Sequence, residues 1–90
     1  MFGDIKPFND MIALLNSREY SALLSRCERE LELKPEWLTP YLFCSFAYIG
    51  LGDIGEARRV FAHYQSEAGP AYDHKDCDQL VAELQKVLIQ

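Results

Sequence analysis

Residues 48–61 read YIGLGDIGEARRVF: an aromatic and two glycines stand ahead of an acidic turn, and a small residue and a phenylalanine follow at helical spacing. The pattern poses a choice between a ligand-binding loop and a place where two helices lie close together. A phosphate-cradling loop needs a Gly-Lys-Ser/Thr sequence and a preceding strand, and neither accompanies Gly50 and Gly52. Close packing accounts for the pattern instead. Asp53 and Glu56 have capping-box spacing, in which each side chain satisfies an orphan N–H of the first turn, so a helix starts there. Ser45 and Ala57 lack bulk and let two helix backbones approach. Tyr48 and Phe61 fill the space to either side, and Gly52 permits the positive φ that a helix C-terminus often needs.

Working outward, the chain repeats itself at a shift of 34 residues. Phe8 falls on Leu42, Ile12 on Phe46, Leu14 on Tyr48 and Leu15 on Ile49; later in each unit Tyr20 falls on Ile54, Leu23 on Ala57 and Cys27 on Phe61. Helix-end signals support this register. Pro7 and Pro40 stand near the start of apolar helical runs, where proline loses no hydrogen bond. Thr39 and Ser17 are candidate N-caps, and Lys34-Pro35 and Gly69-Pro70 end the two units because proline cannot continue a helix. Asp73 with Asp76 opens a last helix, whose apolar stripe is Leu80, Val81, Leu84, Val87 and Leu88. The spacing therefore predicts an all-α fold of five helices, at roughly residues 7–15, 18–33, 40–50, 54–67 and 74–89. Short loops make neighbouring helices antiparallel. The aromatic-rich run 41–48 lacks the strict alternation of a strand.

These residues resemble the tetratricopeptide repeat family, whose unit is a 34-residue helix-turn-helix with large residues early in its first helix, a small one in the middle, and an Ala and a Phe in its second. In the second unit Tyr41 stands where the family has Trp, Ser45 at the small position, Tyr48 at the aromatic, Gly52 at the turn, Ala57 at the Ala and Phe61 at the Phe, with Gly69-Pro70 at or beside the terminal Pro. The first unit is a degenerate copy. Leu14, Tyr20 and Pro35 fit, while Met11 replaces the small residue, Leu23 the Ala, Cys27 the Phe and Arg18 the turn Gly. The resemblance implies a single domain over residues 1–90: repeat 1 at about 5–36, repeat 2 at about 39–70 and a capping helix at about 74–89, the antiparallel pairs stacking as a right-handed superhelix.

It also implies a concave face built from the first helix of each unit, with Phe8, Ile12, Leu15 and Asn16 from the first and Leu42, Phe46 and Ile49 from the second. These positions are mostly apolar. Family members that grip a peptide's C-terminal carboxylate place Lys, Arg and Asn there, so a carboxylate clamp is disfavoured. About three stacked repeats are usually needed to close such a core. Either the last helix covers one end or another polypeptide covers the open side.

Composition bounds the function classes. Ninety residues, 49% hydrophobic and 26% charged, suit one soluble globular domain or a piece of a larger chain. At this size about 60–65% of the unfolded chain's surface is buried on folding, which leaves stability marginal. A net charge of −5 with the nine Lys and Arg scattered repels a phosphate backbone, so nucleic acid is not an expected partner. Cys27, Cys44 and Cys77 form neither CxxC nor a dense framework, which points to a reducing, cytoplasmic compartment. The start MFGDIKPFND has neither the basic beginning nor the unbroken apolar core of a secretion signal. The run 37–51 is broken by Thr39, Pro40 and Ser45 and is shorter than the roughly 20 residues of a membrane span, so no membrane insertion by this segment is expected.

No catalytic or metal constellation emerges. His74 and Cys77 stand three apart but lack the two further ligands a tight site needs. Cys27 and Cys44 lie on apolar faces and read as small core residues, and Asp76 and Asp78 should keep the Cys77 thiol protonated. The run CERELELK reads as a solvated helix face with Leu31 and Leu33 turned partly inward. The expectation is a non-enzymatic, cofactor-free protein-interaction module that takes a partner helix or peptide on its apolar concave face. The alternatives are a self-association element forming a homodimer and a regulatory domain of a larger multidomain protein.

Overall fold

A computed structural model describes residues 5–69 and 78–88. These form five α-helices: α1 (Ile5–Asn16), α2 (Tyr20–Leu33), α3 (Thr39–Gly50), α4 (Ile54–Ala68) and α5 (Asp78–Leu88). There is no strand among the described residues. The expected opening of the last helix at Asp73 and Asp76, the metal pair His74 and Cys77, and the residue Pro70 lie outside the described residues.

The 34-residue shift is written into the backbone. Arg18 has φ 62° and Gly52 φ 87°, both left-handed and 34 positions apart. Around each, the same two hydrogen bonds close the preceding helix. The Arg18 N–H donates to the Leu15 carbonyl and the Glu19 N–H to the Leu14 carbonyl, at 3.1 and 3.0 Å. The Gly52 N–H donates to the Ile49 carbonyl and the Asp53 N–H to the Tyr48 carbonyl, at 3.0 and 2.8 Å. This is the Schellman arrangement, and it satisfies carbonyls that a helix end would otherwise leave orphaned. The departure in the first unit, Arg18 for Gly, thus leaves the turn intact and puts a side chain where glycine is at ease.

Helix starts differ from expectation. Ser17 does not cap α2. Its hydroxyl lies 2.6 Å from the Glu19 carboxylate and 3.2 Å from the Leu14 carbonyl, which share its one hydrogen, and Glu19 takes the cap position with no side-chain bond to the helix. Thr39 does not cap α3; it is already inside the first turn, buried, with Leu38 before it. Half of the capping box expected at α4 forms: the Asp53 carboxylate accepts from the Glu56 N–H at 3.1 Å, but the Asp53 N–H donates to the Tyr48 carbonyl and the Glu56 carboxylate accepts from Arg59 instead.

Helix α3 touches all four other helices, while α1 and α2 share contacts only with each other and α3, and α4 and α5 likewise. The order is antiparallel: Tyr20 at the start of α2 meets Gly50 at the end of α3, and Tyr41 near the start of α3 stacks edge-on against His63 near the end of α4. Arg58, early in α4, donates from Nε to the Leu88 carbonyl at 3.2 Å and so closes the end of α5. Two apolar clusters fill the strip. Met11, Leu23, Cys27, Phe43, Cys44, Ala47 and Val60 form one, and Leu38, Leu42, Ala57, Phe61, Tyr64, Leu84 and Leu88 the other. Ser45 and Ala57 have no exposed surface, and the Ser45 hydroxyl turns back onto the Tyr41 carbonyl. On α5, Leu84 and Leu88 are buried, but Val87, a full 100° round the helix from Leu88, is exposed.

Two features of the core depart from the sequence reading. Cys27 of α2 and Cys44 of α3 are joined by a disulfide, with Cα atoms 6.2 Å apart and a sequence separation of 17. A cross-link over a loop of that length stabilises by about 3 kcal/mol in the chain-entropy account. On α2, Leu31 is partly buried as expected, but Leu33 is 65% exposed, and the inward position is taken by Glu30.

Two stability outcomes follow from these turns. Replacing Arg18 with glycine removes a left-handed strain of about 1–2 kcal/mol and should raise the urea or thermal midpoint, with a net gain of about 0.5–1 kcal/mol after the glycine entropy cost of about 0.5–1 kcal/mol is counted. A lower midpoint would show that Arg18 is not held left-handed in solution. A Cβ added at Gly50 would run into the Tyr20 ring. Gly50→Ala should therefore destabilise by about 1 kcal/mol in the wild type, overpacking outweighing helix propensity, and be neutral or stabilising in a Tyr20→Ala background. An equal effect in both backgrounds would contradict the contact.

Candidate functional site

The seven positions assigned to the concave face occupy two stripes, each following the i, i+4, i+7 pattern that keeps side chains on one side of a helix. On α1, Phe8, Ile12 and Leu15 are half-buried and pack by their inner edges against the cluster around Met11 and Phe43. The Phe8 ring meets the Phe43 ring edge-on, centroids 5.5 Å apart. Asn16, the last residue of α1, is exposed. On α3, Phe46 and Ile49 are half-buried against the cluster that contains Ala57 and Phe61.

Leu42 is different. It is 0% exposed and belongs to the cluster that α5 completes with Leu84 and Leu88, so it is a core residue and no longer part of an accessible face. The counterpart Phe8 keeps its outer side free. Six of the seven residues are thus reachable from solvent, and five of those are apolar.

Charge is kept off this surface by the helical period. Asp10 stands two residues from both Phe8 and Ile12, about 200° round the helix from each. There its carboxylate accepts from Lys6 Nζ at 3.2 Å and pairs with the Arg26 guanidinium of α2 at 3.1 Å. Arg26 in turn donates from Nε to Glu30 at 3.0 Å. The Lys6 hydrogen bond, joined by Arg26, holds the Asp10 carboxyl below the usual carboxylate range. The hydrogen bond to Glu30 and the pairing with Asp10 push the Arg26 guanidinium above its ordinary value. This ladder explains how Glu30 can be buried, since an inward carboxylate needs a partner. Asp10 and Arg26 also line a shallow recess of about 450 Å³ between α1 and α2, with Ala13, Leu14, Ser17 and Glu19. The recess lies off the apolar stripes.

Farther along, the Tyr48 phenol is pushed up by burial, with Glu56 and Glu28 adding to the effect. Glu56, hydrogen-bonded by Arg59, is held below the usual range. No group of three or more His, Cys, Asp or Glu among the described residues is placed to hold a metal ion. No helix among the described residues is long and apolar enough to cross a membrane.

Sequence reasoning did not single out the Lys6–Asp10–Arg26–Glu30 ladder. Its signal was present as two opposite-charge pairs at i, i+4, one on each helix; what sequence spacing lacks is the register that brings Asp10 to Arg26. The chain matches no protein-family model, and no curated protein or solved structure is significantly similar to it.

Proposed function

We propose that this chain is a non-catalytic protein-interaction module of the tetratricopeptide kind, taking a partner helix or extended peptide across α1 and α3. The observation that carries the reading is the pair of apolar stripes, Phe8, Ile12 and Leu15 on one helix and Phe46 and Ile49 on the next but one, left half-exposed with the nearest ion pairs turned away. Half-buried aromatic and aliphatic side chains on a rigid support are the usual anchors of a protein interface. An uncharged surface suits the apolar side of an amphipathic segment, read through anchors at helical spacing. The 34-residue recurrence of the turn at Arg18 and Gly52 supports the family resemblance.

We read the location as cytoplasmic, in keeping with the sparse cysteines, with the Cys27–Cys44 disulfide as the form that oxidation produces. A module of this kind needs no cofactor.

The test compares polypeptide capture by the wild type, Phe46→Asp, Ile49→Asp and Leu33→Asp, with helicity followed by circular dichroism. Leu33 is exposed on α2, off both stripes. The two stripe variants should weaken capture by about thirty-fold or more, the loss of an interface anchor, while Leu33→Asp leaves it unchanged and all three stay helical. Capture that persists in Phe46→Asp and Ile49→Asp removes the assignment. If those variants instead shift the sedimentation mass of the protein alone, the face joins two copies of this chain.

A further inference from the structure

We propose that Cys27 and Cys44 are a reversible thiol–disulfide couple, covered by α1, whose oxidation state sets the stability of the helix packing. The pair spans the junction between the second helix of one unit and the first helix of the next, with Cα atoms 6.2 Å apart, the separation a disulfide needs. Cys27 is 0% exposed and Cys44 4% exposed, so small thiols cannot reach either sulfur while the helices are in place. From α1, Met11 is fully buried in the same cluster, and Phe8 against Phe43 and the Asp10–Arg26 ion pair hold α1 down. The cluster around the pair draws on four helices, Val60 of α4 included, and of these α1 is held by the fewest contacts. Its backbone contacts are with α2 and α3, so its lifting leaves the packing of α4 and α5 on α3 in place. Proteins open in such local units at free energies below that of global unfolding.

The chemistry balances with a dialkyl disulfide such as oxidised glutathione as oxidant. One cysteine thiolate attacks a glutathione sulfur and forms a mixed disulfide, releasing one glutathione thiolate. The second cysteine thiolate then displaces the other, closing the Cys27–Cys44 bond. Two protein thiols and one oxidised glutathione become one protein disulfide and two glutathione thiols, with two electrons passing to the glutathione. A dithiol reverses the sequence. In the folded dithiol form both cysteines remain small apolar core residues, so either state fits the same packing.

The experiment equilibrates the whole protein in oxidised or reduced glutathione, traps free thiols by alkylation, maps the peptides and measures the thermal midpoint. The expected product links Cys27 to Cys44 rather than either to Cys77, and its midpoint lies about 10 °C or more above that of the dithiol form. Cys77→Ser should behave alike and Cys44→Ser should lose the difference. Equal midpoints, or no Cys27–Cys44 link in the oxidising mixture, overturn the couple. To test the cover, reduction of the oxidised protein by dithiothreitol is timed. Met11→Ala should speed it by about tenfold or more and Asp10→Asn by a smaller factor, while Leu84→Ala, in the other cluster, should not. Acceleration by Leu84→Ala equal to that of Met11→Ala shows that reduction waits for global unfolding and overturns the role of α1.

Discussion

Everything in this fold is arranged to bury α3. Its twelve residues, TPYLFCSFAYIG, carry no charge, and seven of them are buried. A helix apolar all round is unstable in water and must be enclosed. Four short helices do the enclosing, two on each side, and each is amphipathic enough to show water its other face. The left-handed turns at Arg18 and Gly52 reverse the chain after α1 and α3, so that α2 and α4 run back along their neighbours. Gly50 then lets the Tyr20 ring lie against the end of α3 where a larger residue would hold it off.

The enclosure is incomplete on one side. Four helices touch α3, but α1 and α5 do not meet each other across it. Phe46 and Ile49 are left with their outer edges in solvent, and Phe8, Ile12 and Leu15 continue the apolar surface onto α1. Further burial of that area by a partner contributes at about 25 cal/mol per Å². Among α1, α2 and α3, α1 is held by the fewest contacts, and it contributes Met11 to the cluster that contains the two sulfurs.

Much of this was legible in the sequence, and the residues show why. Helices α3 and α4 fall within a residue of their expected bounds, because Pro40, Gly52, Asp53 and Gly69 mark ends by local backbone physics that no tertiary contact overrides. What failed depended on choices among local partners or on distant ones. Ser17 was a plausible cap, but its hydroxyl finds the Leu14 carbonyl and Glu19 first. Leu42 and Phe8 hold equivalent positions 34 apart, yet only Leu42 falls in the cluster completed by α5, so the repeat alone could not tell the core residue from the surface one. The pairing of Cys27 with Cys44, and of Asp10 with Arg26, needs the register between helices, which hydrophobic spacing leaves open.

Native-state hydrogen exchange on the dithiol form tests the enclosure of α3 most directly, because it reads each helix separately and without the cross-link. The account predicts that amides from Phe43 to Tyr48 exchange only through global unfolding, at the free energy found by denaturant titration, and that those of α1 exchange faster through a smaller opening. Amides of α3 exchanging as fast as those of α1, or well below the global free energy, would contradict it.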